Sequence, residues 1–269
     1  MSAKDKKLVR IVLCAAAVLL LLQAGFYAYI ALFNREILPG PYVKMRFGDI
    51  QEIPEDTPYL DLKINIDGYS LGQSVRYFNE IALRDEGHDY VDIVRKWTEP
   101  IRFYAKGTPD DVTWEVLRKT FAEMNKVEGF PGIVEVDREE DATLIGHFYD
   151  DEVFNTYVRQ FSGNKFTNGC SHLEMNEEDG SIKSGIIAVR NSIDEPRRRS
   201  VICEELVQAM GLQNDSYSYP DSLFYQGPNE VPEPNGLDWI VFRLLYHPLI
   251  RNGMNYVQCV PVLVHIIEH

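Results

Sequence analysis

Between Cys203 and Asp215 the chain reads Cys-Glu-Glu-Leu-Val-Gln-Ala-Met-Gly-Leu-Gln-Asn-Asp, and the spacing of its polar residues could support metal chemistry. Glu204 and Gln208 stand four apart, so on a helix they share one face and could hold a common ion. Glu205 follows the first of them, where a carboxylate could take a proton from water. Gly211 follows, a residue type that favours a chain reversal, with Asn214 and Asp215 after it. Every donor in this set is oxygen. Proteins hold zinc mostly by imidazole nitrogen and thiolate sulfur, whereas oxygen donors suit calcium, magnesium or manganese. Glu205 alone makes no nucleophile, because bringing the pKa of water near neutrality is the metal's contribution. No zinc and no resident cofactor is expected; any ion held here would be another divalent cation. His88, His147, His172, His247, His265 and His269 do not repair the set, since none has ligand spacing to another. A lone histidine such as His172 is more often structural.

These residues give the segment a resemblance to the active-site helix of the metzincins, whose pattern is H-E-x-x-H-x-x-G-x-x-H followed by a methionine turn. Under that resemblance Glu204 and Gln208 take the places of the two helix histidines, Glu205 that of the general base and Asn214 that of the third ligand, with Asp215 beside it. Asp221-Ser222-Leu223-Phe224-Tyr225 resembles the methionine turn, with Phe224 in place of methionine and Tyr225 closing it. Asp238 to Tyr246 is similar to the C-terminal helix that closes such domains. The series E-E-x-x-Q-x-x-G-L-x-N-D, D-S-x-F and L-Y-x-P-x-I-x-x-G-M also resembles an uncharacterised, membrane-anchored bacterial family with a zincin-like core. The resemblance runs from about residue 90 to residue 256.

It implies an α+β, zincin-like fold, a twisted mixed sheet packed with helices, and a cleft in which extended ligands lie against an edge strand. Glu204, Glu205, Gln208, Asn214 and Asp215 would line that cleft, or bond to one another in place of the missing cation. Three functions remain open. The first is a non-catalytic pseudopeptidase that binds a peptide, a protein or a cell-envelope ligand. The second is a metal-dependent hydrolase or peptidase with unusual oxygen ligands and Glu205 as base, and the third is a structural envelope protein.

The elements that must position these residues follow from periodicity. Leu71 to Leu83 places Val75, Phe78, Ile81 and Ala82 on one side of a helix. Ile101 to Tyr104 reads as a strand, and Thr108-Pro109-Asp110-Asp111 starts a helix that continues from Val112 to Lys126. Ile133 to Val136 and Ala142 to Phe148 read as further strands. Leu173 to Met175 and Ile186 to Val189 form a hairpin turning at Gly180, with the motif helix starting near Cys203. Tyr217-Ser218-Tyr219-Pro220 could cover the cleft or pack locally.

The rest of the chain sets location and partners. Ile11 to Phe33 is an apolar run of about the 20 residues that a membrane-spanning helix needs. Lys4, Lys6, Lys7 and Arg10 precede it, which puts the N-terminus in the cytoplasm. The expected organisation is a cytoplasmic segment 1–10, a single-pass cell-membrane anchor 11–33, an extracellular tether or arm 34–66, and an extracellular domain 67–269. A formal charge of −14 disfavours nucleic acid and anionic headgroups as partners. Arg197-Arg198-Arg199 reads as a solvated loop balanced by Asp194 and Glu195. Cys170, Cys203 and Cys259 lie beyond the anchor, and in an oxidising exterior a pair would close. Three pairings exist; a bond between Cys170 and Cys203 would fasten the motif helix to the sheet, and free buried thiols are the alternative.

Overall fold

The computed structural model describes residues 61–84, 93–158, 167–176, 178–227 and 231–268. Its centre is a five-stranded sheet in the order β3-β2-β4-β6-β5, built from β2 (Ile101–Gly107), β3 (Ile133–Glu135), β4 (Leu144–Tyr149), β5 (Gly169–Met175) and β6 (Ile182–Arg190). Four strands run parallel, and β5 alone runs antiparallel, beside β6. The run Ile187-Ala188-Val189 is fully buried because β6 lies inside the sheet with both faces covered there. β5 is one edge, β3 being the other, and its polar His172 and Glu174 are exposed. A two-stranded parallel pair, β1 (Ile64–Asn65) with β7 (Ile267–Glu268), ties the start of the described chain to its end.

The helices are α1 (Leu71–Ala82), α2 (Asp111–Met124), α3 (Asp151–Val158), α4 (Glu195–Gln208), α5 (Gly236–Tyr246) and α6 (Tyr256–Ile266). Their starts are written in the sequence. Ser70 with Gln73, Asn235 with Asp238 and Asn255 with Gln258 form reciprocal capping boxes. Asp110 and Asp194 cap α2 and α4. The core gathers Val116, Leu117, Phe121 and Met124 of α2 and Val201, Ile202, Leu206 and Val207 of α4 with Ile101, Phe103, Leu144, Phe148 and Ile187 of the sheet. Phe103 and Phe121 meet edge to face at 5.2 Å. α5 is buried over most of its circumference, from Leu237 to Tyr246.

The observed order of strand, helix, strand, strand, hairpin and helix is the expected one, and the class is mixed α+β. Three features differ from expectation. α3 lies in a stretch not assigned to any element, where Asp150, Asp151 and Glu152 mask a short apolar pattern of which Phe154 and Val158 are buried. α4 starts at Glu195, well before Cys203, so Arg197, Arg198 and Arg199 are its first turns and not a loop. Arg198 pairs with Asp110 at 2.7 Å, and Arg199 with Glu115 at 3.0 Å and Glu195 at 2.9 Å, clamping α4 to α2. The disulfide is absent: Cys170, Cys203 and Cys259 are free thiols. Strand alternation explains it. Gly169 faces α4, so Cys170 points to the opposite sheet face, against Phe154, Val158 and Ala188, while Cys203 lies 3.7 Å from Thr120 of α2.

Ile64 and Ile66, at the end of the segment read as an arm, belong to the core. Among the described residues no helix is long and apolar enough to cross a membrane, and the expected anchor, residues 11–33, lies outside them.

Candidate functional site

The motif segment is held at its end by groups from elsewhere in the chain. The Trp97 indole N–H donates to the Ala209 carbonyl at 2.8 Å, and the Tyr246 hydroxyl donates to the Met210 carbonyl at 2.8 Å. These bonds satisfy carbonyls that a helix end leaves without partners. Gly211 follows with φ +108°, a conformation that L side chains rarely adopt, and an added Cβ would press into the Arg95 carbonyl oxygen. The reversal that the sequence suggested is therefore a packing turn: it seats the chain after α4 against the backbone at Arg95.

The residues at ligand-equivalent positions separate into two groups. Gln208 is buried at the end of α4, and its Nε2 donates to Asp215 Oδ1 at 2.8 Å. Asn214 Nδ2 donates to the Glu80 carbonyl and to the Asp215 carbonyl, both at 2.8 Å. Ser216 and Ser218 each donate a hydroxyl to Glu80 Oε2 at 2.8 Å. Gln208, Asn214 and Asp215 thus come together with Glu80 of α1 in one polar network. Glu205 is buried, and its side chain lies beneath Gly169, where any Cβ would collide with it and with Val201. Its negative charge adds to the burial that pushes the Cys170 thiol up to about 12. Glu204, one residue earlier, is half-buried.

Phe224 and Tyr225 belong to a turn fixed from below. The Ser222 hydroxyl donates to Asp238 Oδ1 at 2.7 Å and accepts from the Phe224 N–H at 3.0 Å. With its only proton given to Asp238, Ser222 also accepts from the Tyr77 hydroxyl, so all its capacity is used. Asp238 further accepts from the Leu223 and Asn235 N–H groups, both at 2.9 Å. Burial raises the Asp238 carboxyl above its ordinary pKa, and these bonds to the charged form oppose the rise. Phe224 is fully buried, so its ring fills the core beneath the turn. Tyr225 is half-buried, with exposed Tyr217 edge-on at 6.3 Å. Ser216 bridges to Tyr225 by backbone pairing, which closes the loop from Asn214 to Gln226 upon itself.

Glu80, Ser216 and Ser218 were not singled out from the sequence. Glu80 sits 136 residues from Ser216, and no local spacing signals such a partnership. Among the described residues no three of His, Cys, Asp and Glu converge closely enough to hold a metal ion. A zinc centre does not fit the donors present, because they are carboxylates, amides and hydroxyls, several of them engaged with one another.

Above Glu205 the edge of β5 offers a different chemistry. The Arg190 N–H bonds to the Asn168 carbonyl, so residues 170, 172 and 174 turn their backbone groups to β6 while Ser171 and Leu173 turn theirs outward. Among the described residues no strand pairs with that outer edge. Such an edge can accept another strand. A family model described as a protein of unknown function, DUF2927, matches residues 72–265. No curated protein matches the chain.

Proposed function

The chain belongs to the DUF2927 family, and we propose that it is a non-catalytic binding module with a metzincin-like domain, whose ligand is an extended peptide added as a strand to β5. The reading rests on one arrangement. The polar groups at the former ligand positions bond to protein partners, while the adjacent edge strand keeps its outward N–H and C=O groups at Ser171 and Leu173 for a ligand. The strand order with a single antiparallel edge strand beside α4 supports the metzincin comparison, as does the bonding of the Ser222 turn to Asp238 at the start of the closing helix.

In this reading residues 11–33 hold the domain at the outer side of the cell membrane, and the ligand is a peptide of an envelope or extracellular protein. Hydrolysis is not part of it. Glu205 lies under Gly169, and among the described residues no convergent ligand set stands beside it to activate a water.

The test is peptide-library display against the full chain and against Ser171→Pro. Proline at that position removes one outward N–H without removing a bond to β6, so the sheet should survive. Binding that falls at least about tenfold in Ser171→Pro, a loss of about 1.4 kcal/mol, with an unchanged unfolding midpoint supports strand addition. Selected peptides that bind both proteins equally would place the ligand elsewhere.

A further inference from the structure

The two edges of the five-stranded sheet differ in how the sequence protects them. β3 is three residues long, and so short an edge offers little to pair with. β5 is seven residues long and contains no lysine, arginine or proline, the residues that commonly keep an exposed edge from pairing. Its outward groups are closed at both ends. The Thr167 hydroxyl donates to the Gly169 carbonyl and accepts from the Gly169 N–H. At the other end the register shifts between Glu174 and Met175, which interrupts the regular edge. The window left between them presents Ser171 and Leu173, with His172 at its midpoint turned to β6.

That window is its own complement. A second β5 laid antiparallel with His172 opposite His172 sets each Ser171 against the Leu173 of the other copy, and each such pair exchanges two main-chain bonds. The side chains agree with this register. On the α4 side a small serine meets a leucine, and on the opposite face Glu174 meets Cys170 of the second copy, so no like charges oppose each other. The helix layer also has room. α4 lies against both β5 and β6. With strands about 4.8 Å apart, the midline of β5 and β6 in one copy lies about 10 Å from that in the other, the spacing at which two helices pack side by side.

We infer that, when no peptide is bound, two copies of this chain pair their β5 strands antiparallel about His172, joining their sheets across a two-fold axis. The inference rests on the premise of the proposed function, that this edge accepts a strand, and it makes peptide capture a competition with self-association.

The experiment oxidises full-length His172→Cys and Glu174→Cys with copper phenanthroline and maps the disulfides. Both positions are exposed, and they lie on the same face of β5. In the inferred pair the two copies of residue 172 are directly opposed with Cα atoms about 4.5 Å apart, within disulfide reach. The two copies of residue 174 are offset by four residues, about 14 Å, and are beyond it. A link from 172 to 172 between copies should therefore form at least about tenfold faster than one from 174 to 174. Equal rates, or no link at 172, would overturn the inference. Peptide display against the reduced and oxidised forms of His172→Cys separates it from the ligand reading. Peptides that bind only the reduced form support both. A link at 172 with no peptide selected leaves the self-paired edge standing and refutes the peptide ligand. Peptides lost in Ser171→Pro, with no link at 172, keep the ligand and overturn the self-pairing.

Discussion

Replacing Gly211 by alanine separates the two explanations for the turn after the motif helix. If the glycine served only to swing a ligand toward a metal, a metal-free chain should tolerate the change well. The structure gives a larger expectation. At φ +108° an L-residue carries a conformational penalty of about 1–2 kcal/mol. The added Cβ also presses into the Arg95 carbonyl oxygen, which belongs to backbone and cannot rotate away, and it meets Leu245 Cδ2 at 3.4 Å. Overpacking of that kind costs about 1–3 kcal/mol, for a total of about 2–5 kcal/mol. Gly68 is the internal control: its φ is +87°, but nothing lies within 4 Å of a Cβ there, so only the conformational part applies. Urea unfolding followed by tryptophan fluorescence is the assay, since Trp97 is bonded to the Ala209 carbonyl beside the turn. Gly211→Ala should lose about 1–3 kcal/mol more than Gly68→Ala, with chelator present or absent. Equal losses in the two variants would refute the packing argument.

Three further outcomes follow from buried groups. Ser222→Ala should cost about 2–4 kcal/mol, because it deprives Asp238 of a donor and Tyr77 of an acceptor in the same buried site; a loss below about 1 kcal/mol would show that the turn does not depend on that bond. His247 accepts the Leu249 N–H at Nδ1, so its proton is on Nε2 and donates to the Leu62 carbonyl, and burial holds its pKa down to about 4. Unfolded histidine titrates near 6.5, so stability from this site is complete above that pH and is lost as pH falls to about 4, by up to about 3 kcal/mol. His147, also held down to about 4 by burial, acts in the same sense. His247→Gln should flatten the dependence of the urea midpoint between pH 6.5 and pH 4, and an undiminished slope would exclude His247 as a source. Burial pushes the thiols of Cys170, Cys203 and Cys259 up to about 12. Thiol reagents at neutral pH should label them only on unfolding, and a Cys170–Cys203 linked peptide in a non-reducing map would contradict the separation of the two across the sheet.

Helices with a repeating apolar face were legible in the sequence. Val75, Phe78 and Ile81 in α1 and Val116, Leu117 and Phe121 in α2 follow the helical period and are buried as expected. The hairpin is legible in the sequence over a shorter span than its strands occupy. Ser171 and His172 lie on the edge strand β5, and Lys183 and Ser184 lie at the start of β6 before its pairing with β4 begins at Gly185, so their polarity resembles a loop. The start of α4 was hidden because three arginines seem solvated until Asp110 and Glu115 of α2 are seen to meet them. The site was legible only along its own segment. Gln208, Asn214 and Asp215 were singled out from spacing and do meet, but Glu80, which accepts from Ser216 and Ser218, comes from a helix far away in sequence. Nothing in the segment around Glu205 signals that Gly169, from a strand more than thirty residues earlier, packs on its side chain. Strand parity, which sends Cys170 away from Cys203, depends on a register that cysteine spacing does not contain.

The central claim is that the polar groups at the ligand positions hold one another and not a cation. Its most direct test is elemental analysis by plasma mass spectrometry of the full chain purified without chelator, with calorimetric titration of zinc, manganese and calcium. The account predicts less than stoichiometric metal, no saturable heat with any of the three ions, and peptide binding unchanged by chelator. One equivalent of a metal that disappears in Glu204→Ala would contradict it and restore Glu205 as a candidate base.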